Sequence, residues 1–207
     1  MAQYFTIHPG DPQPRLIRQT AQVLGDGGVI AYPTDSSYAL GCRLGDSQAA
    51  HRMRDIRGVD ERHLLTLVCR DLADAGRFAR IDNRQFRIVR QGIPGPYTFI
   101  LTATREVPRR LLHRKRHTVG IRVPDHPVVR ALLAELRAPI LSTTLLLAGD
   151  DAPLHDPEEI RAKLQAQVDV IVDAGPCPDV PTTVVDLSTD PATILRLGAG
   201  DPARLGL

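Results

Sequence analysis

Helix and strand patterns alternate along this chain, and that alternation predicts an α/β layer protein: a mixed sheet with helices on its faces. Two further observations agree. The chain has 207 residues, enough to bury a real core, and a single domain over 1–207 is expected. Hydrophobic residues make up 43% and charged residues 24%, the balance of a globular protein that folds in water.

Each element has its own signal. Residues 13–25 place Leu16, Ile17, Thr20, Ala21, Val23 and Leu24 on one helical face, and Gly27-Gly28 stops them. Val29–Pro33 is a short apolar strand. Ser47–Ile56 reads as a helix with a polar cap. Leu64–Cys69 is a strand, Asp82–Gln91 a helix, and Thr98–Thr104 a strand of β-branched and aromatic residues. Pro108–Lys115 is expected to be helical. Thr118–Val123 is a strand, and Pro127–Leu136 is a helix with Val128, Val129, Leu132, Leu133 and Leu136 on one stripe. Pro139–Thr144 is a strand. Asp156-Pro157-Glu158-Glu159 starts a helix, with an aspartate cap, proline in the first turn and acids at the positive dipole end. Val168–Asp173, Thr182–Leu187 and Thr193–Leu197 close the sequence as strands. No internal repeat or low-complexity tract interrupts this order.

Composition excludes several classes. No apolar run approaches a membrane span, so no membrane partner is expected. The first residues lack a basic head and apolar core, so no signal peptide is read and a cytoplasmic location is expected. Cys42, Cys69 and Cys177 are odd in number and far apart, which reads as reduced thiols. His113 and His117 lie four apart without other ligands nearby, so no metal site is expected there. Charge is distributed unevenly. From Gly149 onward 11 acids face 4 bases, a net of −7, while the preceding 148 residues hold 13 acids and 22 bases, a net of +9. That separation points to an anionic partner for the first part.

The chemistry-bearing residues gather at strand ends. "VIAYPTDSSYALG" leaves a strand through Pro33 into Thr34, Asp35, Ser36 and Ser37. Ligands of α/β sheets bind at the carboxyl edge of strands, although Pro, Asp and Ser are also ordinary turn residues. "PILSTTL" ends in Ser142, Thr143 and Thr144, "VPTTVVDL" starts with Thr182 and Thr183, and "GPYTFIL" carries Thr98. Arg122 and Arg196 stand inside otherwise apolar strands, where a guanidinium suits a phosphate or carboxylate. No P-loop, dinucleotide fingerprint, GxSxG or HExxH occurs.

Together "GGVIAYPTDSSYALGC", "PGPYTFIL", "TVGIRVPDHPVVRALL", "PILSTTLLLAG", "PTTVVDL" and "ILRLGAG", in that order over residues 27 to 200, resemble the YrdC/YciO family of threonylcarbamoyl-adenylate synthases and their relatives. "YFTIHPGDPQPRLI" and "EVPRRLLHRKRHTVGIRVPDHP" look closest to the YciO branch. The resemblance implies a twisted α/β sheet around a concave basic surface. It implies condensation of threonine, bicarbonate and ATP, with Mg2+ accompanying the phosphates, to serve threonylcarbamoyladenosine modification of transfer RNA. No tightly bound cofactor is expected. Carried over residue by residue, Thr34 would contact the amino acid. Ser142, Thr182 and Arg196 would line the nucleotide and phosphate pocket, and Arg122 would contribute to it. Such chemistry needs positioning and charge stabilisation rather than a covalent nucleophile.

The likeness to the synthases has gaps within the site. Arg57 stands where they carry lysine, Val59 where they carry arginine, Thr144 where they carry asparagine, and Leu197 where an acid often follows the arginine. Losing a cation and an amide from a triphosphate pocket removes charge-assisted bonds worth roughly 1.5–3 kcal/mol each. A weak or retuned synthase is one expectation. The alternative is a non-catalytic binder of double-stranded RNA or transfer RNA. It rests on Arg109, Arg110, Arg114, Lys115 and Arg116 in one run, and on Arg80, Arg84 and Arg87 at helical spacing. Few aromatics are available for base stacking, so contacts would go to phosphates and duplex shape.

Overall fold

The computed structural model describes residues 1–113 and 115–207. Its strands are β1 (Gln3–Thr6), β2 (Ile30–Tyr32), β3 (Ala39–Arg43), β4 (Thr66–Val68), β5 (Tyr97–Thr102), β6 (Thr118–Arg122), β7 (Ile140–Thr144), β8 (Val170–Asp173), β9 (Thr183–Asp186) and β10 (Thr193–Arg196). The α-helices are α1 (Pro14–Gly25), α2 (Ser47–Arg57), α3 (Leu72–Phe78), α4 (Asn83–Gly92), α5 (Pro127–Leu136) and α6 (Pro157–Leu164). All strands join one mixed sheet in the order β1-β8-β2-β3-β7-β4-β6-β5-β9-β10. Strand β8 lies between β1 and β2, and β9 beside β5, so the two ends of the sequence interleave.

The period of two along each strand sorts side chains between two faces. One face carries Ala31, Leu40, Leu67, Phe99, Leu101, Val119, Ile121, Leu141, Ile171 and Val185, which form the larger core with Met53 of α2, Phe78 of α3, Val89 of α4 and Ile160 of α6. The other face carries Ile30, Tyr32, Ala39, Val68, Ile140, Val170 and Val172, packed under α1 and α5. Helix α1 offers Ile17, Thr20, Ala21 and Leu24 to that core, the spacing of one helical stripe, and α5 offers Val128, Val129, Leu132 and Leu133. These two helices cover only part of their face. Beyond them, Thr66, Thr98, Ile100, Gly120, Arg122, Ser142 and Val184 stand on the same side of neighbouring strands with no helix among the core residues above them. Register places Ser142 beside Thr66, Thr66 beside Gly120, and Gly120 beside Ile100, one continuous row across four strands.

Four local differences from the sequence reading have physical causes. Strand β1 lies at the sheet edge with a partly exposed pattern, too short and mixed to announce itself. Strand β3 follows the hydroxyl turn at once, where a tight turn masks the return of the chain. Helix α3 spans seven residues and includes Gly76, so its apolar period is weak, and Asp71 caps it. The segment expected as helix 108–115 forms only a 3-10 turn over Arg109–Leu111. Leu111 is its one buried anchor there, and an isolated polar helix without an apolar stripe gains nothing from packing. Arg114 lies outside the described residues.

Candidate nucleotide and anion site

The uncovered part of the sheet face is the floor of a cavity of about 340 Å3. Of the residues singled out from the sequence, Arg57, Arg122, Ser142, Thr144, Thr182 and Arg196 line it. The site spreads across the sheet face rather than along one carboxyl edge, because β4 and β7 run antiparallel and contribute opposite ends. Thr66, Gly120 and Ser142 keep the floor low. A Cβ on Gly120 would come within 3.0 Å of Thr66 Oγ1.

Thr34 is not among the lining residues; it stands behind Arg122. Its hydroxyl donates to Ser37 O (2.6 Å) and accepts from the Ser36 and Ser37 amides (both 3.2 Å). The hydroxyl cluster that follows β2 is therefore a closed turn, and its outward function is to hold a guanidinium. Arg122 Nη2 donates to Thr34 Oγ1 (3.0 Å), to Ser36 Oγ (2.9 Å) and to the carboxylate of Asp35. Asp35 in turn accepts from the Asp125 amide (3.1 Å). Arg122 Nε is buried without a partner.

The other two guanidiniums bond neutral oxygens. Arg57, at the end of α2, donates Nε–H to Leu146 O (2.8 Å) and Nη1–H to Thr143 Oγ1 (2.7 Å). Arg196 donates to Thr182 O through Nε (3.2 Å) and Nη2 (3.0 Å). A bulge between Ile194 and Arg196 shifts the register so that Arg196 pairs with Val184, whose side chain lines the cavity. Bulges at sheet edges commonly re-aim a side chain in this way. No carboxylate among the described residues pairs with Arg57 or Arg196. Asp151 and Asp179 line the cavity but are exposed. Burial, and then repulsion from Arg196, lowers the pKa of Arg57. Burial, and then repulsion from Arg122, lowers that of Arg196. Both strains are relieved by an anion placed between the three cations.

His63 is a member of the site that the sequence reading missed. Burial, followed by the nearby Arg57 and Arg54 charges, pushes its pKa down to about 4, so the ring is neutral near pH 7. Its Nε2 lies 3.1 Å from Arg57 Nη1 and 3.2 Å from Thr143 Oγ1. A guanidinium can only donate, so Nε2 accepts and the ring proton sits on Nδ1. Thr98 and Thr143 were visible as strand hydroxyls but not as site residues; Thr98 Oγ1 holds Thr182 Oγ1 at 2.9 Å. Tyr32 OH meets Ser142 Oγ at 2.7 Å from the covered core, and Ser142 Oγ donates to Leu40 O (2.9 Å). His63 sits in an aperiodic loop, and only its spacing of six from Arg57 could have drawn notice. Val59 is not among the lining residues.

The basic run distributes differently. Arg116 pairs with Asp186 (2.5 Å), and Arg84 pairs with Asp190, so part of the basic half is neutralised by the acidic half. Arg80 precedes α4 rather than lying on it, and with Arg87, Arg109, Arg110 and Lys115 it is exposed.

A family model described as telomere recombination, the Sua5/YciO/YrdC domain, matches residues 22–198. The uncharacterised YciO protein of Escherichia coli (strain K12) is 49% identical over 201 residues, covering 97% of this chain and 98% of that one. A threonylcarbamoyl-AMP synthase of Chromobacterium violaceum is 34% identical over 145 residues, 70% of this chain and 75% of that one. The crystal structure of E. coli YciO superposes with a TM-score of 0.96 at 48% identity, over 99% of this chain and 100% of that one. With the sheet, the helices and most of the length shared, the chain belongs to the Sua5/YciO/YrdC family.

Proposed function

We propose that the central cavity binds ATP with its Mg2+ and performs a slow threonylcarbamoyl-AMP synthase-type reaction. The observation that carries this reading is the convergence of Arg57, Arg122 and Arg196 on one hydroxyl-lined floor. The synthase relative from C. violaceum supplies the reaction class. In that reaction the threonine amine and bicarbonate form a carbamate and water. A carbamate oxygen then attacks the α-phosphorus and pyrophosphate leaves with the electron pair of the broken bond. Arg57 and Arg196, unneutralised by carboxylates, offset the charge on the phosphates, while Arg122, tied to Asp35, is a fixed donor. The low rate follows from Thr144, which lines the cavity where the synthases carry an amide.

The test measures pyrophosphate release with ATP, bicarbonate and each of the twenty amino acids. Release that depends on threonine is the expected result; ATP binding without release for any amino acid rejects the reaction and keeps the nucleotide site. A second reading, binding of structured RNA or transfer RNA in the cytoplasm, is favoured by the exposed Arg80, Arg87, Arg109, Arg110 and Lys115. It requires a steep salt dependence that flattens by roughly one unit per phosphate contact removed.

A further inference from the structure

A second cavity, about 720 Å3, lies between α2 and the 3-10 turn at Arg109–Leu111. It is larger than the central one, and the synthase-type reaction proposed above does not use it, although Arg109, Arg110 and Lys115 of its lining belong to the surface of the RNA reading. Leu64 lines both cavities, so the segment before β4 is a shared wall. The lining is of two kinds. Leu64, 38% exposed, and the half-buried Leu112 give an apolar surface, backed by the buried Ala50 and Leu111. Arg54, Arg62, Arg109, Arg110 and Lys115 give positive charge, against one acid, Glu61. Arg62 lies 4.0 Å from Asp60, and among the described residues no carboxylate pairs with Arg54, Arg109, Arg110 or Lys115. Arg54 Nε is buried with no hydrogen-bond partner.

A solvated basic face would be convex and polar throughout. Here five cations surround an apolar hollow, and a large aliphatic side chain, Leu64, is left partly bare inside it. The matching ligand carries negative charge at one end and a flat, weakly polar body at the other. Bare phosphate would leave the leucines uncovered, and a fatty chain would leave the cations unpaired. The volume is in the ordinary range for small-molecule sites, roughly 300–1,000 Å3. Guanidiniums serve both parts of a nucleotide, forking onto phosphate oxygens and stacking on a base. We infer that this cavity binds a nucleoside monophosphate unit, its base against Leu64, Leu111 and Leu112 and its phosphate among Arg54, Arg109, Arg110 and Lys115. The unit is either a free nucleotide or one residue of an RNA strand.

Calorimetry of AMP binding to the full chain tests this, using wild type, Arg196→Ala, and the double variant Arg109→Glu/Arg110→Glu. Both reversed arginines are exposed, and a melting curve verifies that the fold survives. The expected result is two equivalents of AMP for wild type, one weakened at least tenfold by the double reversal and the other by Arg196→Ala. A single equivalent lost only in the double variant keeps this site and removes the central one. A single equivalent lost only in Arg196→Ala overturns the inference. So does inorganic phosphate that displaces AMP from the Arg109/Arg110-dependent site at equal concentration, because the apolar surface would then contribute nothing. Photolabelling of wild type with 8-azido-AMP needs no variant: label on peptides covering 47–54 or 109–113, chased by AMP, supports the site, and label elsewhere only rejects it. Displacement by a ten-nucleotide RNA at tenfold lower concentration than AMP assigns the unit to a strand; displacement by AMP alone assigns it to a free nucleotide.

Discussion

One face of the sheet is built in two ways. Under α1 and α5 it is sealed by Ile30, Tyr32, Val68, Ile140, Val170 and Val172. Two residues further on β4 and β7, and on β5 and β6 beyond them, the same side presents Thr66, Ser142, Thr98 and Arg122 to a cavity. The backbone is the same; the cover differs. Where a helix lies over the sheet, the alternate position is apolar and its burial stabilises the fold. Where none does, hydroxyls and a guanidinium alternate with Ile100, Gly120 and Val184, and the polar groups are left to contribute to binding instead. Tyr32 joins the two regions, buried in the first and hydrogen-bonded to Ser142 of the second.

If this division is right, stability and binding respond to different residues. The largest effect on stability is expected from Leu132→Ala on α5. Leu132 is fully buried, and deleting such a side chain costs about 2–5 kcal/mol through lost transfer energy and the cavity left behind. Chemical denaturation measures it, and nucleotide affinity of the folded variant should match wild type. A loss of affinity as large as that of Arg196→Ala would merge the two regions.

The second effect belongs to His63. Its proton is bound below about pH 6.5 in the unfolded chain but only below about 4 in the folded one. Between those values the unfolded state holds more protons, so stability falls as pH is lowered from 6.5 towards 4 and then levels. The full difference is on the order of 3 kcal/mol, less to the extent that the cavity admits water. His126, lowered chiefly by burial, contributes with the same sign. Replacing His63 with Gln should make the denaturation midpoint less sensitive over this interval while leaving the His126 part. An unchanged pH slope in that variant would show that His63 is solvated and not part of the packed wall.

Next comes the junction. Tyr32→Phe removes the hydroxyl that meets Ser142, while Ser142 keeps its bond to Leu40 O. A loss of about 1 kcal/mol is expected, the usual net value of one hydrogen bond. Thermal unfolding measures it, and the ring's packing in the covered core is untouched.

Part of this division was legible in the sequence. The strands read as apolar runs and the sheet followed from their alternation with helices, while the hydroxyls were legible only as clusters at strand ends, not as one face shared by neighbouring strands. Arg122 and Arg196 stood out because a guanidinium inside a strand needs a reason. Position along the chain could not show that Thr34 faces inward to hold Arg122, since that depends on a contact 88 residues away. Nor could it show that the bulge at Leu195 turns Arg196 onto the site face, or that His63 lies against Arg57 and Thr143. The second cavity was hidden for the opposite reason: its cations read as a helix, and the hollow exists because Arg109–Leu111 makes only one tight turn.

The smallest effect on stability, and the sharpest division of roles, is expected from Arg196→Ala. Arg196 sits on the edge strand β10, exposed as a residue although its guanidinium is partly buried against Thr182, so little apolar area is lost with the side chain. The bonds it gives up are to Thr182, which keeps Thr98 as a partner for its hydroxyl. Its charge also disfavours Arg57, and that repulsion disappears in the variant. These terms oppose one another, and the net change in stability should stay within about 0.5 kcal/mol, as for surface substitutions away from packed features. Binding should respond on a different scale. A charge-assisted bond to a phosphate is worth roughly 1.5–3 kcal/mol, so nucleotide affinity should fall about tenfold or more. Denaturation and calorimetry on the same preparation measure the pair. A variant that melts as early as Leu132→Ala would mean that the open part of the face holds the fold together as the covered part does.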